Sequence, residues 1–189
     1  MKFLLAISAA IDWFSTRIGH LMGWVAVALV ALGVINVIGR YLGARLGIQL
    51  GSNMLLEAQT YAYNLMFLLG AAYVLLRDGH IRVDILYSRF SARTRAWVDI
   101  TGALLFLTPF CVLAIWYSIG YVERSWSTME VSPNPGGLAR YPIKTVIIVA
   151  FVMLLLQGLS ETIKRVAWLR GVVGVPGPDH SGPARPEAN

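Results

Sequence analysis

The sequence predicts an all-α integral membrane protein: four transmembrane helices with short interfacial helices and both termini cytoplasmic. Three observations predict it. Four stretches, Ile18 to Gly39, Ala58 to Leu76, Ile100 to Val122 and Thr145 to Ser160, carry no charged side chain. A helix rising about 1.5 Å per residue needs about 20 apolar residues to cross about 30 Å of hydrocarbon, so the first three are long enough and the fourth is slightly short. Of the 189 residues, 57% are hydrophobic and only 14% charged, which leaves room for four spans, short connections and a tail but for no separate globular domain. The cations are also distributed asymmetrically. With four crossings, one side holds Lys2, Arg17, Arg77, Arg82, Arg89, Arg93, Arg95, Lys164, Arg165, Arg170 and Arg185, and the other only Arg40, Arg45, Arg124, Arg140 and Lys144. Positive flanks stay in the cytoplasm, so the richer side, with both termini, is placed there.

Residues 1–17 read as an amphipathic lead-in, with Phe3, Ile7, Ile11 and Phe14 at helical spacing and Trp13 at headgroup depth. Met1-Lys2 before a short apolar run also resembles a signal sequence, but Asp12, Trp13 and Arg17 interrupt it before the first long span. Residues 18–163 form the membrane domain, with spans at about 18–39, 54–76, 98–121 and 142–160. Beyond the first span, Gly39, Gly43, Gly47 and Gly51 recur every four residues beside Leu42, Leu46 and Leu50. This is either a small-residue groove for close helix packing or a glycine-rich loop.

The second span begins after Ser52-Asn53, either of which can cap it. Glu57, Tyr61 and Asn64 share one helix face with Leu68 and Ala71, and such polarity faces protein rather than lipid. Gly70 with Ala71 and Ala72 allows another helix to approach. The loop from Arg77 to Trp97 is the most basic segment; a short surface helix there would place Arg82, Arg89 and Arg93 among phospholipid headgroups. In the third span, Thr108-Pro109 predicts a bend, because proline removes a backbone donor. Ser132-Pro133-Asn134-Pro135-Gly136-Gly137 marks a turn, and Pro142 suits the first turn of the fourth helix. Residues 164–189 make a basic and then glycine- and proline-rich tail, expected to be disordered.

Several function classes lack their parts. The net charge of +6 flanks apolar spans instead of forming a basic aromatic-rich domain, so no nucleic-acid partner is indicated. Of the three histidines only His20 lies in a span, whereas His80 and His180 lie outside, which does not suit a haem-carrying redox anchor. The sequence has no HExxH, GxSxG or phosphate-binding glycine loop, and neither an enzyme nor a cofactor nor a metal is expected. Cys111, the single cysteine, reads as a packing residue.

Glu57 is the one carboxylate within the second span and a functional candidate on that ground. A stand-alone four-helix antiporter or channel would use such a group for ions. Its place in the first helical turn, beside Arg40, favours instead a structural ion pair with Arg40 or with a partner's cation. Lys144 has a similar position on the fourth helix, and internal repeats of the kind found in self-sufficient transporters are missing.

From about Trp24 to Ile163 the chain resembles the small permease subunit of tripartite ATP-independent periplasmic (TRAP) transporters, the DctQ-type family. The resemblance rests on Asn36-Val37-Ile38-Gly39-Arg40-Tyr41, Leu56-Glu57-Ala58-Gln59, Phe67-Leu68-Leu69-Gly70-Ala71-Ala72-Tyr73 and Gly79-His80-Ile81-Arg82-Val83-Asp84-Ile85. Glu130-Val131-Ser132, Gly136-Gly137-Leu138 and Pro142-Ile143-Lys144 complete it. The chain has Thr60 and Tyr141 where members often have tryptophan, which weakens any inference about subgroup and solute. The resemblance implies an inner-membrane importer of organic acids, in which a periplasmic solute-binding protein delivers the solute to a large, sodium-driven, elevator-type membrane subunit. The small subunit is then a static scaffold. Arg40, Glu57, Tyr61, Asn64, Gly70 and Lys144 become candidates for the interface with the large subunit, and Glu130, Ser132, Gly136 and Gly137 candidates in the periplasmic loop.

Overall fold

The computed structural model describes residues 1–47, 52–79, 90–172, 175 and 177. Among them are four long helices: α1 (Lys2–Leu46), α2 (Asn53–Leu76), α3 (Ala92–Ser127) and α4 (Tyr141–Leu169). Three of them, α1, α3 and α4, are long and apolar enough to cross a membrane. α2 has the length but carries Gln59, Tyr61, Tyr63 and Asn64, and it is not among those three.

α1 runs without a break for 45 residues, about 67 Å at helical rise. The expected lead-in is therefore no separate element but the first four turns of this helix. The glycine-rich segment divides in two. Gly39 and Gly43 are helical, while Gly47 adopts φ 72° and donates its N–H to the Gly43 carbonyl, the left-handed cap that ends a helix. Gly51 and Leu50 lie outside the described residues, as do Arg82, Arg89, His80, the 80–89 part of the segment expected to hold a surface helix and most of the tail, while residues 92–97 of that segment already belong to α3.

The interior is built from small and polar side chains. Along α1 the buried residues are Ser8, Ser15, Met22, Asn36 and Gly43, one face repeating every seven residues. On α4 they include Met153, Gln157, Ser160 and Ala167. Valine, leucine, phenylalanine and tryptophan point outward instead: Trp24, Phe67, Phe106 and Trp116 are each about two-thirds or more exposed. Such a polarity suits a lipid solvent, where apolar burial gains nothing and close backbone approach and interhelical hydrogen bonds hold the helices.

Individual contacts fix the arrangement. The Tyr73 ring lies where a side chain on Gly19 would stand, and the Gln59 amide lies against Gly33, so α1 and α2 are antiparallel. Ser8 meets Ser160 and Ser15 meets Gln157, so α1 and α4 are antiparallel too. α3 joins α4 through Leu107 against Gly158 and through Phe110 edge-on to Phe151 at 5.7 Å. α4 packs on all three other helices, whereas α3 makes no extended contact with α1 or α2 among the described residues.

The bend expected at Thr108-Pro109 takes the form of a π turn over Ala103–Leu107. Pro109 has no N–H to give, and the helix widens by one residue ahead of it: the Thr108 N–H and hydroxyl both reach back to the Ala103 carbonyl, the hydroxyl at 2.9 Å. Cys111 is fully buried on α3. We call the end of the bundle that carries the 128–140 segment the loop end, and the opposite one the terminal end.

Candidate functional site

At the loop end, the segment between α3 and α4 is a compact clasp. Thr128 caps α3, Met129 turns at φ 45°, and Val131 and Ala139 pair as an antiparallel bridge. The Ser132 N–H bonds the Leu138 carbonyl at 3.0 Å, and the Arg140 N–H bonds the Glu130 carbonyl at 2.8 Å. Gly136 reverses the chain at φ 71°.

Two carboxylates fasten this clasp. Glu57, one turn into α2, accepts at Oε1 from the Ser132 hydroxyl and from Asn134 Nδ2 at 2.9 Å, and at Oε2 from the Leu138 N–H at 2.6 Å. One turn on, the Tyr61 hydroxyl donates to the Ala139 carbonyl at 3.0 Å, and one turn before, Asn53 reaches the Pro135 carbonyl at 3.4 Å. Gly137 is obligatory at its position. A Cβ there would stand 2.4 Å from that of Ser132 and 2.9 Å from Glu57 Oε2.

Glu130 is the second carboxylate. It accepts from the Ser125 hydroxyl at 2.7 Å and pairs with Lys144, so the end of α3 and the start of α4 share one anion. Lys144 also stands 4.1 Å over the Tyr121 ring. The Lys144 ammonium, followed by the Ser125 hydroxyl, holds the Glu130 carboxyl below the usual range of a glutamate. Beside this pair the Trp126 indole donates to Thr145 at 2.8 Å and packs on Tyr141.

The structure corrects one expectation about Glu57. It forms no pair with Arg40, which is exposed on α1, because three donors from the clasp already fill both of its oxygens. Glu57, Tyr61 and Lys144 thus spend their polar atoms inside the chain. Asn64 is half-buried on the same face of α2. Gly70 is open where its Cβ would stand, so no described part of this chain uses that notch. Arg93 is exposed on the first turn of α3.

A second polar cluster, at the terminal end, escaped the sequence reading. Asp12 accepts from Ser160 at 2.7 Å, Gln157 at 2.9 Å and Lys164 at 3.0 Å. Lys164 also pairs with Glu161, and the Ser15 hydroxyl donates to Gln157 Oε1 at 2.7 Å. Arg165 faces Asp99 of α3 at 3.0 Å. Asp12 had read as the interruption of an apolar run. The signal that would have found this cluster is the seven-residue repeat of Ser8 and Ser15, continued by Met22.

Both clusters are filled by their own chain. In both, serine hydroxyls are taken up by carboxylates that join one helix or loop to another.

The comparisons agree with this architecture. Residues 29–167, roughly three quarters of the chain, match the family described as tripartite ATP-independent periplasmic transporters, DctQ component. No curated protein and no solved structure matches.

Proposed function

From the premise that this chain belongs to the DctQ component family of tripartite ATP-independent periplasmic transporters, we propose that it is the fixed scaffold on which a large membrane subunit moves an organic acid. It is a transporter subunit of the inner membrane and not an enzyme. The sodium and solute sites belong to the large subunit, and a periplasmic binding protein delivers the solute. α2 crosses the membrane as a fourth span beside α1. The terminal end is cytoplasmic and the loop end periplasmic, which puts the clasp where the binding protein docks. Arg40, Asn64 and Gly70, together with the exposed part of the clasp, remain available for partners.

The observation that carries this reading is the state of Glu57. A proton- or ion-carrying carboxylate must be free to exchange its partner, and Glu57 is saturated by a hydroxyl, an amide and a backbone N–H from one short loop. The stand-alone antiporter loses its charge carrier. Mild detergent extraction of the tagged chain from its own host should bring down a much larger membrane protein. Saturable, ion-driven uptake by vesicles holding this polypeptide alone would overturn the scaffold reading.

A further inference from the structure

The charge-free runs of α1 and α4 are paired out of step. Ser8 meets Ser160 and Ser15 meets Gln157, so Asp12 on α1 is level with Gln157 and Ser160 on α4. On α4 that level still belongs to the run Thr145 to Ser160, whereas on α1 the run Ile18 to Gly39 has not yet begun. Carried along the axes, the same register sets Leu29, at the middle of the α1 run, level with Arg140, ahead of the first turn of α4. α2 gives the same height independently: Gln59 lies against Gly33 of α1, and Tyr61, two residues on, bonds the Ala139 carbonyl. The midpoints of the α1 and α4 runs therefore stand about twelve residues apart, roughly 18 Å.

α3 sides with α4. Leu107 on Gly158, Asp99 at Arg165 and Tyr121 under Lys144 set Cys111, the middle of Ile100 to Val122, level with Leu154, next to the middle of the α4 run. Because α3 makes no extended contact with α1 or α2 among the described residues and is yet level with α4, the offset is a step and not an incline. Neighbouring axes lie about 8–10 Å apart, so levelling α1 with α4 by tilt alone needs roughly 60°, beyond the roughly 0–40° that membrane helices adopt.

A flat bilayer fails at either height. Centred on α3 and α4, it brings the exposed Arg17, level with Val152, to its midplane, and Arg77 of α2 to nearly the same depth through the contact of Tyr73 with Gly19. Centred on α1, it leaves Leu105 and Phe106, 66% and 74% exposed, in water at the terminal end. We propose that the chain holds the bilayer in a step, with the lipid against α1 and α2 displaced toward the loop end by roughly half a bilayer relative to the lipid against α3 and α4. Arg17 and Arg77 then stand at the terminal border of one pair, and Asp99 and Glu161 at that of the other. The step passes between α1 and α4, which is why hydroxyl, amide and carboxylate groups are buried there against the charge-free run of α4. The inference needs α1, α3 and α4 to cross the membrane and does not depend on the scaffold reading.

The test uses the wild-type chain in phosphatidylcholine liposomes that contain a lipid with a diazirine at the end of its acyl chain, a probe of the bilayer midplane. After photolysis, labelling should peak around residues 25–32 in α1 and around residues 106–116 in α3. A peak around 11–20 in α1 together with 106–116 in α3, or around 25–32 together with 119–127, means one flat midplane and overturns the proposal. Spin labels give the depths directly. In a Cys111→Ser background, Val30→Cys and Ser127→Cys lie within a few residues of one level, as do Trp13→Cys and Phe110→Cys. We expect Val30 and Phe110 to lie roughly 10 Å or more deeper than their counterparts by oxygen and nickel accessibility; equal depths within each pair would refute the step.

Discussion

Glu57 shows how much one side chain can organise when its acceptors are matched to donors supplied by a neighbouring turn. The clasp over it is so tight that a single methyl group should be felt. Gly137→Ala places its Cβ inside the contact radius of both Ser132 and Glu57. We expect a loss of about 1–3 kcal/mol, the usual cost of overpacking, read as a lower melting temperature of the purified chain in detergent. Gly136→Ala, strained by its positive φ but facing open space, should cost less. Glu130 makes a prediction about acid. Its carboxyl is held below the ordinary range, so its contribution is complete at neutral pH and lost only as pH falls through that lowered value. Thermal stability should therefore be flat from pH 8 to pH 5 as far as this group is concerned and fall under more acid conditions. Glu130→Gln should flatten that acid limb; an unchanged limb would show that another group sets it.

At the scale of the helices, the packing code is written in small and polar residues, and this explains which parts of the fold were legible. The helices themselves were plain in the sequence, since long charge-free runs have few other structural solutions. So were the capping pair Ser52-Asn53, of which the Ser52 hydroxyl accepts from the Met54 N–H at 3.0 Å, and the proline at the start of α4. The pairing of helices was not. A search for apolar faces overlooks Ser8, Ser15, Gln157 and Ser160, which are the surfaces in contact. Likewise, the polar face of Glu57 and Tyr61 was visible as a helical stripe, but that it is met by the chain's own loop depends on a turn whose path no periodicity encodes. Gln157 offers a direct test of this seam. It is fully buried, accepts from Ser15 and donates to Asp12. Gln157→Leu should cost about 1–3 kcal/mol, chiefly because the former partners stay buried without theirs. Adding Ser15→Ala should recover part of that loss, whereas simple additivity of the two would argue against the bond.

Among the described residues the helices form an open arrangement, with α4 at its centre and α3 packed chiefly against α4. A self-sufficient four-helix bundle would close α3 against α1 or α2. Here much of α3, including Leu105, Phe106, Phe110, Trp116 and Tyr117, is left to lipid or to other proteins, as suits a subunit whose assembly is completed by another chain. The orientation proposed above can be checked in intact cells. With Cys111 replaced by serine, a cysteine at Asn134 should react with a membrane-impermeant thiol reagent, and one at Lys2 should react only after lysis. The reverse pattern would invert the topology. Finally, the bond between Ser8 and Ser160 spans 152 residues of sequence, which ties folding to the clock of synthesis. At about 5–20 residues per second, about 8 to 30 seconds separate the emergence of the two serines from the ribosome. Throughout that interval Ser8, Asp12 and Ser15 lack the partners that α4 later supplies, so this seam closes only once the last helix has been made.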